Sequence, residues 1–163
     1  MIEIRPVQTH EIEEARHVIF TVAYDVFKEA GSLEESIALY SAKGVLSDMD
    51  DVRKNYFENG GTFLVTVLDG RIIGTGTIRS LEEDVCELKR MWLLPEFHGK
   101  GLGYRMMQEL FKHAREMGYK AMRLQTDRVI QTRAVAFYTR LGFYEIPAYE
   151  GDDPEDMAME TIL

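Results

Sequence analysis

Between Val85 and Thr126 a strand, a glycine loop, a helix and a second strand follow one another almost without a gap. Val85 to Leu94 has strand character and is stopped by Pro95. His98-Gly99-Lys100-Gly101-Leu102-Gly103 then carries three alternating glycines. Gly101 to Met117 places Met106, Leu110, Phe111, Ala114 and Met117 on one helical face, Gly118 stands as its C-terminal cap, and Tyr119 to Thr126 reads as strand. A helix joining two strands demands a crossover, so these two strands lie parallel. The chain must therefore hold one parallel pair with a glycine loop at its mouth.

The rest of the pattern is antiparallel and helical. Ile2-Glu3-Ile4-Arg5 alternates at period two and is stopped by Pro6. Thr9 is placed to cap a helix carrying Ile12, Ala15, Ile19, Val22, Ala23 and Val26, with Gly31 as its terminator. Ser32-Leu33-Glu34-Glu35 has capping-box spacing for a second helix, and Ser47-Asp48-Met49-Asp50 caps a short third one reaching about Glu58. After Asn59-Gly60-Gly61, Thr62–Leu68 and Arg71–Arg79 form a hairpin about Asp69-Gly70, and Ser80 to Asp84 turns into the Val85 strand. Gln131 to Leu141 is a last helix closed by Gly142, and Phe143–Ile146 and Met157–Leu163 supply two final strands. The expected fold is α/β of the α+β type. It is a single domain over residues 1–163, with a mixed, mostly antiparallel sheet flanked by helices.

Charge narrows the partners. With 28 Asp and Glu against 19 Lys and Arg, the formal charge of −9 argues against duplex nucleic acid or an anionic membrane surface. No apolar run approaches the ~18 residues of a membrane span, and the first residues lack a signal-peptide core. A single cysteine, Cys86, can make neither an internal disulfide nor a paired-cysteine metal site, so the cytoplasm is the expected compartment. His10, His17 and His113 fall at no ligand spacing, and no metal is expected.

None of this excludes a small anionic ligand. Glycines let backbone approach closely, and the first amides of a helix have no intrahelical partner, so the loop before the Gly101 helix is suited to phosphate. Between Glu96 and Glu109 there is no acid, while Lys100, Arg105 and His98 supply positive charge. The loop is not a P-loop, which needs Gly-Lys-Ser/Thr. Nor is it a dinucleotide G-x-G-x-x-G, since Tyr104 occupies the last glycine's place. A tight strand-to-helix turn without a ligand would also use such glycines.

His98-Gly99-Lys100-Gly101-Leu102-Gly103, behind the strand Glu87-Leu88-Lys89-Arg90-Met91-Trp92-Leu93, resembles the Arg/Gln-x-x-Gly-x-Gly/Ala signature of the GCN5-related N-acetyltransferases. Ala134-Val135-Ala136-Phe137-Tyr138-Thr139-Arg140-Leu141-Gly142-Phe143 is similar to the family's second signature, a helix ending in Tyr-x-x-x-Gly-Phe. The resemblance implies acetyl-CoA as cofactor and CoA as product, with the pyrophosphate on the amides of Gly99, Lys100, Gly101, Leu102 and Gly103. It implies pantetheine pairing along Met91, Trp92 and Leu93. His98 stands where Arg or Gln is usual, and Gln131 where the family often has an Asn contacting the cofactor arm.

Acetyl transfer to an amine needs a deprotonated amine and a proton for the departing thiolate. The resemblance assigns the acid to Tyr138, whose position would equally suit a core tyrosine. It offers Glu87 as a base acting through water, although Glu87 could instead be a solvated carboxylate or bridge Lys89 on the same face. Cys86 points the other way and reads as core. Thr126 ends the strand beside the cofactor strand, and Tyr24, Phe27 and Tyr40 lie on helices that by analogy wall the acceptor pocket. The run Glu150, Asp152, Asp153, Glu155 and Asp156 is surface in character, and if it borders the pocket it favours a cationic acceptor.

The implied activity is direct N-acetyl transfer to a small-molecule or peptide amine in a ternary complex, by a chain expected to form a homodimer. A CoA-binding regulator without turnover, and a nucleotide-binding domain of another fold, remain open on the sequence alone.

Overall fold

A computed structural model describes residues 1–151 and 153–163. Its strands are β1 (Ile2–Pro6), β2 (Thr62–Leu68), β3 (Arg71–Glu82), β4 (Val85–Leu93), β5 (Ala121–Asp127), β6 (Tyr144–Ile146) and β7 (Asp156–Ile162). They form one sheet in the order β1-β2-β3-β4-β5-β7-β6. Every pairing is antiparallel except β4 with β5. The crossover expected between Val85 and Thr126 is thus present, and it supplies the parallel pair.

Helices α1 (Ile12–Phe27) and α2 (Leu33–Lys43) cover one face, and α3 (Leu102–Glu116) and α4 (Thr132–Arg140) the other. This double cover explains why β2 is buried on both faces from Thr62 to Val67. Phe63, Val65 and Val67 enter the core beneath α1 and α2, while Leu64 enters the core beneath α3. Gly76 lets α3 rest on bare backbone. A Cβ there would lie 2.9 Å from Met106 Cγ and 3.0 Å from Leu110 Cδ1.

Several ends differ from the sequence reading. Glu11, not Thr9, closes the entry to α1: its carboxylate accepts from the Gln8 amide at 2.9 Å and pairs with Arg5 at 2.8 Å. α1 ends at Phe27 rather than Gly31 because Lys28, at φ 50°, takes the left-handed capping position and donates its amide to Tyr24 O at 2.9 Å. β3 runs past Ser80 to Glu82, since its ladder with β4 continues there. The Ser47 segment is a 3-10 turn, Ser47–Asp51, followed by a π-helical turn, Arg53–Phe57. Ser32 caps α2 as expected, accepting from the Glu35 amide at 3.1 Å.

Among the described residues no helix is long and apolar enough to cross a membrane, and no three His, Cys, Asp or Glu side chains gather into a metal site.

Candidate active site

β4 is built with a kink in its middle. Opposite β3, Thr77 pairs with Lys89 but Thr75 with Trp92, so β4 fits one extra residue into the ladder. Arg90 absorbs it at φ 53°, a left-handed conformation that costs a residue with a side chain about 1–3 kcal/mol. The surroundings hold it there. Thr75 Oγ1 donates to Arg90 O at 2.7 Å and Thr77 Oγ1 to Lys89 O at 2.8 Å. The Arg90 guanidinium donates to both oxygens of Asp48, at 2.7 and 3.2 Å, and to Val45 O at 3.1 Å. Tyr56 donates its hydroxyl to the same carboxylate. Burial pushes Asp48 up, but Arg90 outweighs it and leaves the carboxyl below its ordinary value.

The kink sits where the sheet opens. β4 and β5 pair only at Val85–Ala121, Cys86–Met122 and Glu87–Arg123. Beyond Arg123, β5 continues with β7 as far as Asp127–Asp156, while β4 bends away. Between them lies a cleft of about 160 Å³, lined among others by Glu87, Lys89, Met91, Trp92, Gln131 and Tyr138. Among the described residues, the β5-facing edge of β4 has no strand partner from Leu88 onward. An extended amide-bearing ligand can pair with such an edge.

At the far end of β4, Pro95–Phe97 makes one 3-10 turn into the glycine loop. Gly99 and Gly101 have φ of 77° and 78°, and a Cβ at either would project into open space. The first intrahelical bond of α3 runs from the Arg105 amide to Gly101 O, so the preceding amides have no helical acceptor. No acid lies in that first turn. Lys100 stands over the Phe97 ring at 5.7 Å. Leu102 buries its side chain in the core, leaving its backbone as its only contribution. Gly103 faces inward instead, its Cβ position 3.5 Å from Phe137 and 3.9 Å from Met91. The His98 ring turns back and donates Nε2 to Leu93 O at 3.0 Å, fastening the loop to the strand end.

Tyr138 lines the cleft from α4 with 7% of its surface exposed, between the rings of Phe137 and Phe143. Burial pushes its phenol above the ordinary value, so it keeps its proton. Glu87 is 3% exposed and is neither solvated nor bridged to Lys89, contrary to the two structural alternatives. Its Oε1 accepts from Arg79 at 3.3 Å, because Arg79 stands directly across the β3–β4 ladder. Its Oε2 accepts from Tyr149 at 2.9 Å. Burial, and then the Glu87 charge, push the Tyr149 phenol up. Gln125 on β5 fixes this loop over the cleft. It accepts from the Tyr149 amide at 3.2 Å and donates to Glu150 O at 2.8 Å.

The model of the acetyltransferase (GNAT) family matches residues 30–143, well over half of the chain. The chain belongs to the GNAT family. It is 35% identical over 102 residues to the uncharacterized N-acetyltransferase YjgM of Escherichia coli, a match covering 61% of this chain and 60% of that protein. It is 33% identical over 114 residues to human N-acetylaspartate synthetase, covering 69% of this chain and 37% of that one. The chain thus spans less than two thirds of the length of these relatives. In fold it matches the crystal structure of the PaiA N-acetyltransferase of Thermoplasma acidophilum in complex with coenzyme A. The TM-score is 0.78 at 24% identity, over 100% of this chain and 99% of the other.

In this GNAT chain the cleft gathers Glu87, Met91, Trp92, Gln131, Tyr138 and Thr126. Of the acidic run, Glu150 lines it and Asp153 and Glu155 are exposed, while Asp152 lies outside the described residues. Phe27 meets Trp92 edge-on at 6.5 Å, whereas Tyr40 is buried against Phe20. Cys86 is core, its thiol pushed up to about 12 by burial. Sequence reasoning missed Tyr149, Arg79 and the Asp48–Arg90 pair. Only the pairing of Arg79 with Glu87 across a hairpin carried a usable signal.

Proposed function

We propose that the chain is an acetyl-CoA-dependent N-acetyltransferase that moves an acetyl group directly to the amine of a small molecule or peptide in a ternary complex. The observation that carries this is the divergence of β4 from β5 beyond Glu87, with the glycine loop at one end and Tyr138 beside the opening. When bound, acetyl-CoA supplies the acetyl group as a thioester. The amides of residues 99–103 and the dipole of α3 would hold its pyrophosphate, and the open edge at Met91, Trp92 and Leu93 its amide-bearing arm. Open space at the Gly99 and Gly101 Cβ positions fits a phosphate there. Gln131, just before α4, borders the same arm, and His98 acts by fixing the loop rather than by touching phosphate.

Tyr138 Oη holds a proton beside the cleft for the departing sulfur. Glu87, held between Arg79 and Tyr149, takes the proton of the acceptor amine through water or the Tyr149 hydroxyl. Cys86 takes no part, being buried and protonated, which favours direct transfer over an acyl-enzyme.

A coupled thiol-release assay over a panel of amines tests this reading. Amine-dependent CoA release with formation of the N-acetyl product supports it. CoA binding without release for any amine would replace it with the regulatory alternative. An amino acid is a sensible first trial, since one relative bears the name N-acetylaspartate synthetase.

A further inference from the structure

The acceptor end of the cleft holds a cation, Lys89, that no described carboxylate pairs. Arg79 pairs with Glu87 at 3.3 Å, Arg90 with Asp48 at 2.7 Å, and Arg123 with Glu160 at 2.7 Å and Glu82 at 3.2 Å. Lys89 lines the cleft, is half-buried, and among the described residues forms no ion pair. It stands one alternation along β4 from Glu87, hence on the same face. Burial, together with the nearby Arg79 and Arg90 charges, lowers its pKa, and the charges of Glu87 and Glu150 only partly offset this. A half-buried ammonium with no direct ion-pair partner gains stability when an anion joins it. Glu150, exposed at the rim, is the opposite charge placed to attract an ammonium group.

Resting on the acetyltransferase reading above, we propose that the acceptor carries a carboxylate beside its amine, and that Lys89 binds this carboxylate while the amine faces Glu87. A carboxylate on the acceptor gives the Lys89 ammonium the ion-pair partner it lacks among the described residues, which selects amino-acid-like acceptors over polyamines and other purely cationic amines. The acidic run pointed to a cationic acceptor from the sequence. Glu150 retains that preference for the amine, and Lys89 adds the second requirement.

The test compares α-amino acids with their α-carboxamides as acceptors, pair by pair, in wild type, Lys89→Met and Lys89→Arg. In wild type the acid of at least one pair is preferred in kcat/KM. Lys89→Met lowers that acid-to-amide ratio by about 10–100-fold, the range expected for a charge-assisted hydrogen bond, and Lys89→Arg restores most of it. The change in ratio is decisive because an amide's amine is intrinsically less basic than the acid's. A second readout needs no turnover: with CoA present, the preferred acid raises the melting temperature of wild type but not of Lys89→Met. An unchanged ratio in Lys89→Met, in protein that still binds CoA and acetylates amines, overturns the carboxylate proposal and leaves the acetyltransferase reading standing. No transfer to any acid or amide, while other amines are acetylated, overturns the carboxylate proposal alone; no transfer to any amine of the wider panel, with CoA still bound, overturns both.

Discussion

The two ends of the cleft are made in different ways. The end proposed to hold the cofactor is local: thirteen consecutive residues, Met91 to Gly103, supply a free strand edge, a glycine loop and a helix start, and nearly all of its chemistry is backbone. The end proposed to hold the acceptor is assembled from β3, β4, the Asp48 turn and the Tyr149 loop, and its chemistry is mainly side chain. Backbone sites tolerate side-chain replacement but not a blocking group. Side-chain sites fail one hydrogen bond at a time. Variants at the two ends should therefore fail differently.

The largest effect belongs to the cofactor end. Gly101→Glu projects a carboxylate into the open space before α3 and forces a side chain onto φ 78°. CoA binding should fall below detection by calorimetry while the protein still melts cooperatively. Gly103→Val probes another contact, since its side chain would press on Phe137 and Met91. Next comes Tyr138→Phe at the junction of the two ends. General acid catalysis is typically worth about 10²–10⁴-fold, so kcat should fall within that range with little change in the KM for acetyl-CoA. Because burial raises the Tyr138 pKa above its ordinary 10.0, the phenol holds its proton as pH rises, and wild type should show no alkaline loss from this group below pH 10. A Phe variant within threefold of wild type at every pH would remove Tyr138 from the mechanism.

Asp48→Asn reaches the acceptor end through the kink. It leaves the half-buried Arg90 guanidinium without a counter-charge, a change that costs less than the about 3–5 kcal/mol of a fully buried pair. The melting temperature should fall, and kcat/KM for acetyl-CoA should drop as β4 relaxes. Adding Arg90→Gly, which accepts positive φ and carries no charge, should recover stability. If the double variant is no more stable than Asp48→Asn, the pair does not hold the kink. The smallest effect is expected from Tyr149→Phe. Losing one charge-assisted hydrogen bond to Glu87 should lower kcat about tenfold and leave CoA affinity unchanged, as paired kinetics and calorimetry will show.

The same division explains what the sequence made legible. The crossover, the parallel pair and the glycine loop could be read because each is encoded by neighbouring residues: Pro95, the alternating glycines and the α3 stripe. The Glu87 environment could not. Arg79 is eight residues away by chain and Tyr149 sixty-two, and only strand register and a loop clamp from Gln125 bring them together. The kink escaped for a related reason. Arg90 is no turn-former, and its left-handed backbone is imposed by Thr75, Thr77 and Asp48 from other segments. The end of α1 was misplaced at Gly31 because tertiary context seats Lys28, rather than a glycine, in the capping position.

The most direct measurement of the proposed cofactor site is a titration of CoA into the ¹⁵N-labelled chain, followed by backbone amide shifts. Saturable shifts should concentrate at Met91–Leu93 and Gly99–Gly103, with only small changes at Asp48, Arg79 and Tyr149. Shifts absent from both stretches, or centred on any other part of the molecule, would contradict that assignment.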